Sequence, residues 1–317
     1  MRDGQFVIVD VFTQGPFTGN PLAVFLNGDS YTSAQMQVLA RELNFSETTF
    51  LLARAPDGSF PVRIFTPVAE LPFAGHPALG SAFVIARQWL QAPVEQLDLR
   101  LGVGLVRIDL TYRGDEIDII TMTQPQPSFG AILPSAPAAR MLGLDERDVL
   151  VETPVQMVST GLPFLIVPVR DLGACHRAQL AADRMAGVPG LDPGTNVLVF
   201  CRDGHDADHD LHVRVFVPEL GISEDPATGS ANGCLCAYLL HYQGTGPTST
   251  PANAAPPPTP TGSISGKWVA EQGYEIGRRS CLYLEGSYEW SEATARYTVR
   301  VGGRVALVAS AQLCAAW

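Results

Sequence analysis

The chain has 317 residues, 46% of them hydrophobic, enough for an extensive core and, by length, for two domains of about 150 residues each. Its 32 acidic residues against 21 basic ones give a net charge of −11 and a pI near 4.9. That balance argues against nucleic acid or an anionic membrane as partner, because phosphate binding depends on concentrated Lys and Arg. No apolar stretch approaches the roughly 20 residues of a membrane span, and Arg87 interrupts the best candidate, 81–89.

Taken in chain order, residues 6–12 read as a first strand, with Asp10 breaking any signal-like apolar run, and 22–26 as a second. A helix follows over 33–43, capped by Thr32 or Ser33, with Met36, Leu39, Ala40 and Leu43 on one face. The segment 50–52 and the alternating run 62–67 read as strands, the latter stopped by Pro67. An apolar, helix-forming stretch covers 77–91. Further strands are expected at 97–101, 105–111, 155–159, 164–169, 197–201 and 213–218, a second apolar helix at 226–242, and last strands at 268–272, 281–285, 295–301 and 305–309. Many strands around few helices give an α+β class, not a doubly wound sheet. Residues 247–260 hold six prolines and no charge, and read as a surface insertion. The six cysteines are scattered apart from a C-x-C pair at Cys234 and Cys236. With no zinc or disulfide spacing they read as free thiols in a reducing cytoplasm.

The most informative feature is a duplication. Val62-Arg63-Ile64-Phe65-Thr66-Pro67 matches Val213-Arg214-Val215-Phe216-Val217-Pro218 at an offset of 151. His76-Pro77-Ala78-Leu79-Gly80-Ser81-Ala82 matches Asp225-Pro226-Ala227-Thr228-Gly229-Ser230-Ala231 at an offset of 149. Nine of the thirteen pairs are identical, where chance gives about one. A fainter match sets Gly19-Asn20-Pro21 against Gly161-Leu162-Pro163. The chain therefore reads as two related domains, 1–125 and 126–317, with a last strand free to pair with either.

Three places hold candidate chemistry. Proline is favoured at the first helical position, which would put His76 and Asp225 at two N-caps. Asp is a good cap, so Asp225 reads equally as structural or functional; His is a poor one, so His76 calls for another reason. Gly75, Gly80, Gly229 and Ser230 leave backbone N–H groups accessible at helix starts, where the dipole suits an anion. If the domains face each other, both starts would meet in one cleft fit for a small carboxylate. Glu47, within Asn44-Phe45-Ser46-Glu47-Thr48, reads on composition alone as an exposed loop carboxylate, although in a water-poor cleft it would exchange a proton near neutrality. The cluster Asp203, His205, Asp206, Asp208, His209, Asp210 and His212 looks like a metal site, but its irregular spacing just before a strand favours a solvated turn. No metal is assigned. The motifs of serine hydrolases, NTPases and Rossmann dehydrogenases are lacking.

Gly19-Asn20-Pro21, Asn44 to Thr48, Glu70-Leu71-Pro72-Phe73-Ala74-Gly75-His76-Pro77, Glu224 to Ala231, Glu271-Gln272-Gly273 and Gly277-Arg278 occur in an order that resembles the PhzF-like isomerase family of phenazine biosynthesis. That family is similar in fold to diaminopimelate epimerase. The resemblance implies two pseudo-symmetric domains, each a β-sheet rolled around a central helix, usually as a homodimer. It implies catalytic roles for Glu47, His76 and Asp225, and substrate contacts from Asn20, Ser46, Gly75, Thr228, Gly229 and Ser230. It further implies a small carboxylic acid as substrate and no cofactor. Related epimerases and racemases use two thiols at the helix starts, where this chain has Ala74 to His76 and Ala227 or Thr228. The open alternatives are an amino-acid epimerase and a non-catalytic binding protein.

Overall fold

The alternation of apolar residues that marks the strands at the sequence level decides which face of each sheet a side chain reaches. In the computed structural model, residues 4–185, 188, 190–192, 194–220, 222–243, 261–291 and 294–314 are described; the proline-rich 247–260 segment lies outside them. The elements are β1 (Gln5–Val11), β2 (Asn20–Phe25), α1 (Ser33–Leu43), β3 (Glu47–Leu51), β4 (Phe60–Phe65), β5 (Glu70–Leu71), α2 (Gly75–Gln88), β6 (Gln96–Leu101), β7 (Gly104–Arg113) and β8 (Glu116–Thr123). There follow β9 (Ser128–Leu133), α3 (Ser135–Met141), β10 (Val155–Ser159), β11 (Pro163–Pro168), α4 (Leu172–Arg177), α5 (Ala182–Met185), β12 (Val197–Cys201) and β13 (Leu211–Phe216). The chain ends with α6 (Gly229–Gln243), β14 (Gly262–Gln272), β15 (Ser280–Trp290), β16 (Ala295–Gly303) and β17 (Val305–Gln312). This is an α+β protein. Among the described residues no helix is long and apolar enough to cross a membrane.

The chain divides into two compact units, one of Met1–Thr123 with Gly277–Cys281 and Gly302–Trp317, the other of Gln124–Ile276 with Leu282–Val301. Each has the same ladder sequence. In the first, β1 and β2 are antiparallel, β2 and β3 parallel, β3 and β4 antiparallel, and β4 and β6 parallel. In the second, β10 and β11 are antiparallel, β11 and β12 parallel, β12 and β13 antiparallel, and β13 and β14 parallel. The last strand, β17, pairs with β1 of the first unit.

In the first unit the sheet is covered on both faces. Phe6, Phe25, Phe50 and Phe65 form a ring-on-ring layer, with centroids 4.9, 4.7 and 5.6 Å apart, against Met36, Leu39 and Ala40 of α1. Thr32 caps α1: its Oγ1 accepts from the Gln35 N–H while the Gln35 side chain accepts from the Thr32 N–H, a capping box. Asn44 in the left-handed region, at φ 54°, ends the helix. The other face carries α2, buried from Gly75 to Ile85. It approaches so closely that a Cβ on Gly80 would lie 2.6 Å from Leu22 Cδ2 and 3.0 Å from Val11 Cγ2. In the second unit α3 and α4 pack with β10 to β12 around Leu165, Val167, Val197 and Val199, while α6 is buried almost end to end.

Candidate active site

Glu47 is the first residue of β3, paired with Leu22 in the parallel ladder. Side chains two apart share a face of a strand, so Glu47 looks the same way as Thr49, toward α2. Ser81 Oγ on α2 meets Thr49 Oγ1 at 3.1 Å. Stepping back five residues along the helix covers about 7.5 Å and two along the strand about 6.6 Å. The two elements thus carry His76 and Glu47 to one place, where His76 Nε2 lies 3.3 Å from Glu47 Oε2. Both are nearly sealed from solvent, Glu47 at 6% and His76 at 5% exposure. Glu47 is therefore a buried strand residue and not the exposed loop carboxylate that composition suggests. Burial pulls the His76 imidazolium down to about 3, so the ring is neutral at neutral pH.

The helix start also differs from expectation. Ala74, with extended φ −152° and ψ 144°, is the N-cap of α2 and its carbonyl accepts from the Ala78 N–H. Gly75 is then N1 and His76 N2, with Pro77 at N3 instead of N1. The first turn has no intrahelical acceptors for its N–H groups, so proline is tolerated there and the Gly75 and His76 amides remain available to an anion. Ser46 stands half-buried just before Glu47. Asn20 is fully buried at the start of β2. The turn before it is held by Arg278, whose guanidinium donates to Gly19 O at 2.9 Å and Thr18 O at 3.1 Å and pairs with Asp10 at 2.6 Å. Gly19, at φ +73°, could not carry a Cβ, which would sit 2.4 Å from Val11 O.

In the second unit Asp225, unlike His76, precedes its helix: α6 begins at Gly229 and not near Pro226. The reason is Gln272, completely buried at the end of β14. Its amide donates to Asp225 O at 2.8 Å and Thr228 Oγ1 at 3.1 Å and accepts from the Thr228 N–H at 3.2 Å. Asn232, one turn into α6, donates to Gln272 Oε1 at 2.9 Å and to Thr228 O at 3.0 Å. These bonds satisfy the Asp225–Thr228 backbone outside a helix. Thr228 Oγ1 donates to Asp225 Oδ2 at 2.5 Å. Asp225, Thr228, Gly229 and Ser230 thus form one loop-to-helix junction. Glu47, His76, Gly75, Ser46 and Asn20 belong to the first unit. Residue types alone gave no reason to single out Gln272 and Arg278, although both stand in motifs that carry the family resemblance.

The duplication places different groups at equivalent points. Aligning Leu22 with Phe164 through the Gly-x-Pro match, and following the parallel ladders, sets Asn196 opposite Glu47. His76 matches Asp225 in the same scheme. An amide cannot exchange a proton as a carboxylate does, so the halves are chemically unequal. The thiols of α6 are unsuited to acid–base work, burial raising Cys234 to about 11 and Cys236 to about 12.

One histidine-rich region of the second unit was expected to be a solvated turn. Its aspartates are exposed, but His209 and His212 are buried against Glu271, which is itself fully buried. His209 Nδ1 and His212 Nδ1 lie 2.7 and 2.6 Å from the two Glu271 oxygens.

Known structures fold the same way. A PhzF-family phenazine biosynthesis protein of Bacillus anthracis superposes with a TM-score of 0.83 over 99% of this chain and 100% of its own, at 24% identity. A predicted epimerase of Pseudomonas aeruginosa gives 0.73, at 30% identity over 99% and 100%. A probable proline racemase of Agrobacterium radiobacter shares the fold more distantly, at 0.59 and 14% identity over 98% and 93%. By sequence, the trans-2,3-dihydro-3-hydroxyanthranilate isomerase of Pseudomonas fluorescens is 34% identical over 89% of this chain and 90% of its own. An uncharacterised isomerase of Clostridium acetobutylicum is 31% identical over 96% of both. The fold and these relatives define an isomerase. The chain belongs to the phenazine biosynthesis-like protein family, PhzC-PhzF, whose pattern it matches over residues 9–311.

Proposed function

We propose that the protein is a cofactor-independent isomerase that moves a proton between carbons of a small carboxylic acid. The observation that supports this most directly is the buried Glu47–His76 pair, 3.3 Å apart at the start of α2. Glu47 takes a proton from a carbon made acidic by an adjoining double bond or carboxylate, and returns it elsewhere on the same molecule. The neutral imidazole of His76 accepts or donates a hydrogen bond without adding charge. The Gly75 and His76 amides, at the start of α2, hold the substrate carboxylate. A part in the proton transfer is proposed for Asp225, buried and braced by Gln272, and substrate contacts for Asn20, Ser46, Thr228 and Ser230. The relative from Pseudomonas fluorescens acts on trans-2,3-dihydro-3-hydroxyanthranilate, which makes that compound the first to test. An amino-acid epimerase remains as a second reading, favoured by the predicted epimerase among the similar structures. The protonated thiols of α6 and the unequal residues at Glu47 and Asn196 weigh against its two-base form. As in the family, the enzyme is proposed to act as a homodimer.

The decisive experiment follows substrate turnover in deuterated water by NMR. The wild type should incorporate or relocate hydrogen without inverting a centre, and Glu47→Gln should bind the compound yet turn it over at least about 1000-fold more slowly. A Glu47→Gln enzyme with wild-type turnover removes this mechanism; inversion of a single stereocentre favours the epimerase.

A further inference from the structure

We propose that the second unit contains a binding site for a divalent transition ion of the zinc type, formed by His176, His205, His212 and Glu275. Four separate pieces of chain supply these residues: α4, the 202–210 loop, β13, and the turn that follows β14. The ligand nitrogens of the three histidines all lie within 4.8 Å of one another. His176 Nε2 is 2.9 Å from His205 Nε2 and 3.5 Å from Glu275 Oε1, and His212 Nε2 is 2.9 Å from that same oxygen. A four-coordinate zinc ion with bonds of about 2.0–2.1 Å needs ligand atoms roughly 3.3 Å apart. Three of the edges already fall near that value, and the exposed His176 and His205 are the residues that would move to complete the set.

Two features go beyond a chance gathering of polar groups. The first is the donor set, since three imidazoles with one carboxylate suit zinc and its neighbours and do not suit calcium or magnesium. The second is the backing of His212. Its Nδ1 is held at 2.6 Å by Glu271, both side chains being fully buried, which turns Nε2 toward His176 and Glu275. A carboxylate behind a ligating imidazole fixes its tautomer and direction. Glu271 is fixed in turn by the His205 N–H at 2.7 Å and by His209. The other Glu275 oxygen lies 3.8 Å from Arg214, whose charge is matched by Glu224 at 2.7 Å.

An ion here would pin the end of β14 to α4 and to the 202–210 loop. Gln272, which braces the Asp225–Thr228 junction, is three residues from Glu275. The site would thus act as a clamp on the second unit.

Metal-stripped protein is titrated with Zn2+ alone, followed by calorimetry and thermal unfolding, and with Co2+ followed by visible absorption. One equivalent should bind with a dissociation constant below about 1 µM, and saturation should raise the melting temperature by a few degrees. Co2+ should give the absorption of a four-coordinate site. His176 and His205 are exposed, so His176→Ala and His205→Ala should fold normally, and each should weaken binding at least about 10-fold. Asp208→Asn, an exposed change in the same loop, should bind as the wild type does. Absence of stoichiometric binding, or binding that survives the His176→Ala/His205→Ala pair, overturns the proposal and leaves a hydrogen-bonded histidine cluster.

Discussion

Glu47 and His76 lose almost all their water and face each other at 3.3 Å, Glu47 at 6% and His76 at 5% exposure. Neither residue type announces this: a glutamate after Phe45-Ser46 is ordinarily a loop residue. Gln272 is the reverse case, a neutral side chain whose importance is entirely geometric. Its amide serves Asp225, Thr228 and Asn232 at once. Gln272→Leu keeps the volume but leaves those buried groups without their partner, at about 1–3 kcal/mol for each one not rescued by water. Chemical denaturation should show a loss of at least about 2 kcal/mol, and the folded variant should turn over more slowly because the Asp225 junction loosens. An unchanged midpoint would mean that the junction holds itself.

At the level of elements, α2 lies tightly against β1 and β2. The sequence pattern of small residues along Ala78, Gly80, Ser81 and Ala82 permits the helix to lie close, and that closeness is what brings its first turn to Glu47. Gly80→Val should therefore cost stability by overpacking, about 1–3 kcal/mol, since Leu22 and Val11 stand within 3.0 Å of the added Cβ. Half-buried Gly15, where a Cβ would meet nothing within 4 Å, shows by contrast where bulk is tolerated sterically. Melting temperatures of Gly80→Val and wild type, taken side by side, test this; a rise in the variant would show that the interface has slack. The starts of α2 and α6 were expected at the prolines. Both lie elsewhere because the backbone before them is fixed by tertiary contacts and not by proline preference alone.

Across the whole molecule, buried titratable groups set the pH range of stability. His76 is held neutral, with its folded value near 3 against 6.5 for an exposed histidine. Between those values the unfolded chain binds a proton that the folded chain refuses, so His76 subtracts stability progressively as pH falls from about 6.5 toward 3, by on the order of a few kcal/mol. Above 6.5 it has no effect. Melting curves over pH 4–8 should show this acid limb, and His76→Asn should flatten it; an unaltered limb would place the sensitivity in another group. The duplication, the α+β class and most elements were legible from the sequence, because strand and helix periodicity and internal identity are local patterns. The 33–43 helix and the 155–159 and 197–201 strands have the expected bounds. The short helices α3 and α4 and the strands β8 and β9 were not anticipated, their apolar pattern being too brief or irregular to read. What only the tertiary structure decided is which distant side chains meet. Glu47 with His76, Gln272 with Asp225, and His176 with His205 and Glu275 are separated by 29 to 99 residues, and sheet register and helix depth fix their distances. No spacing along the chain encodes them.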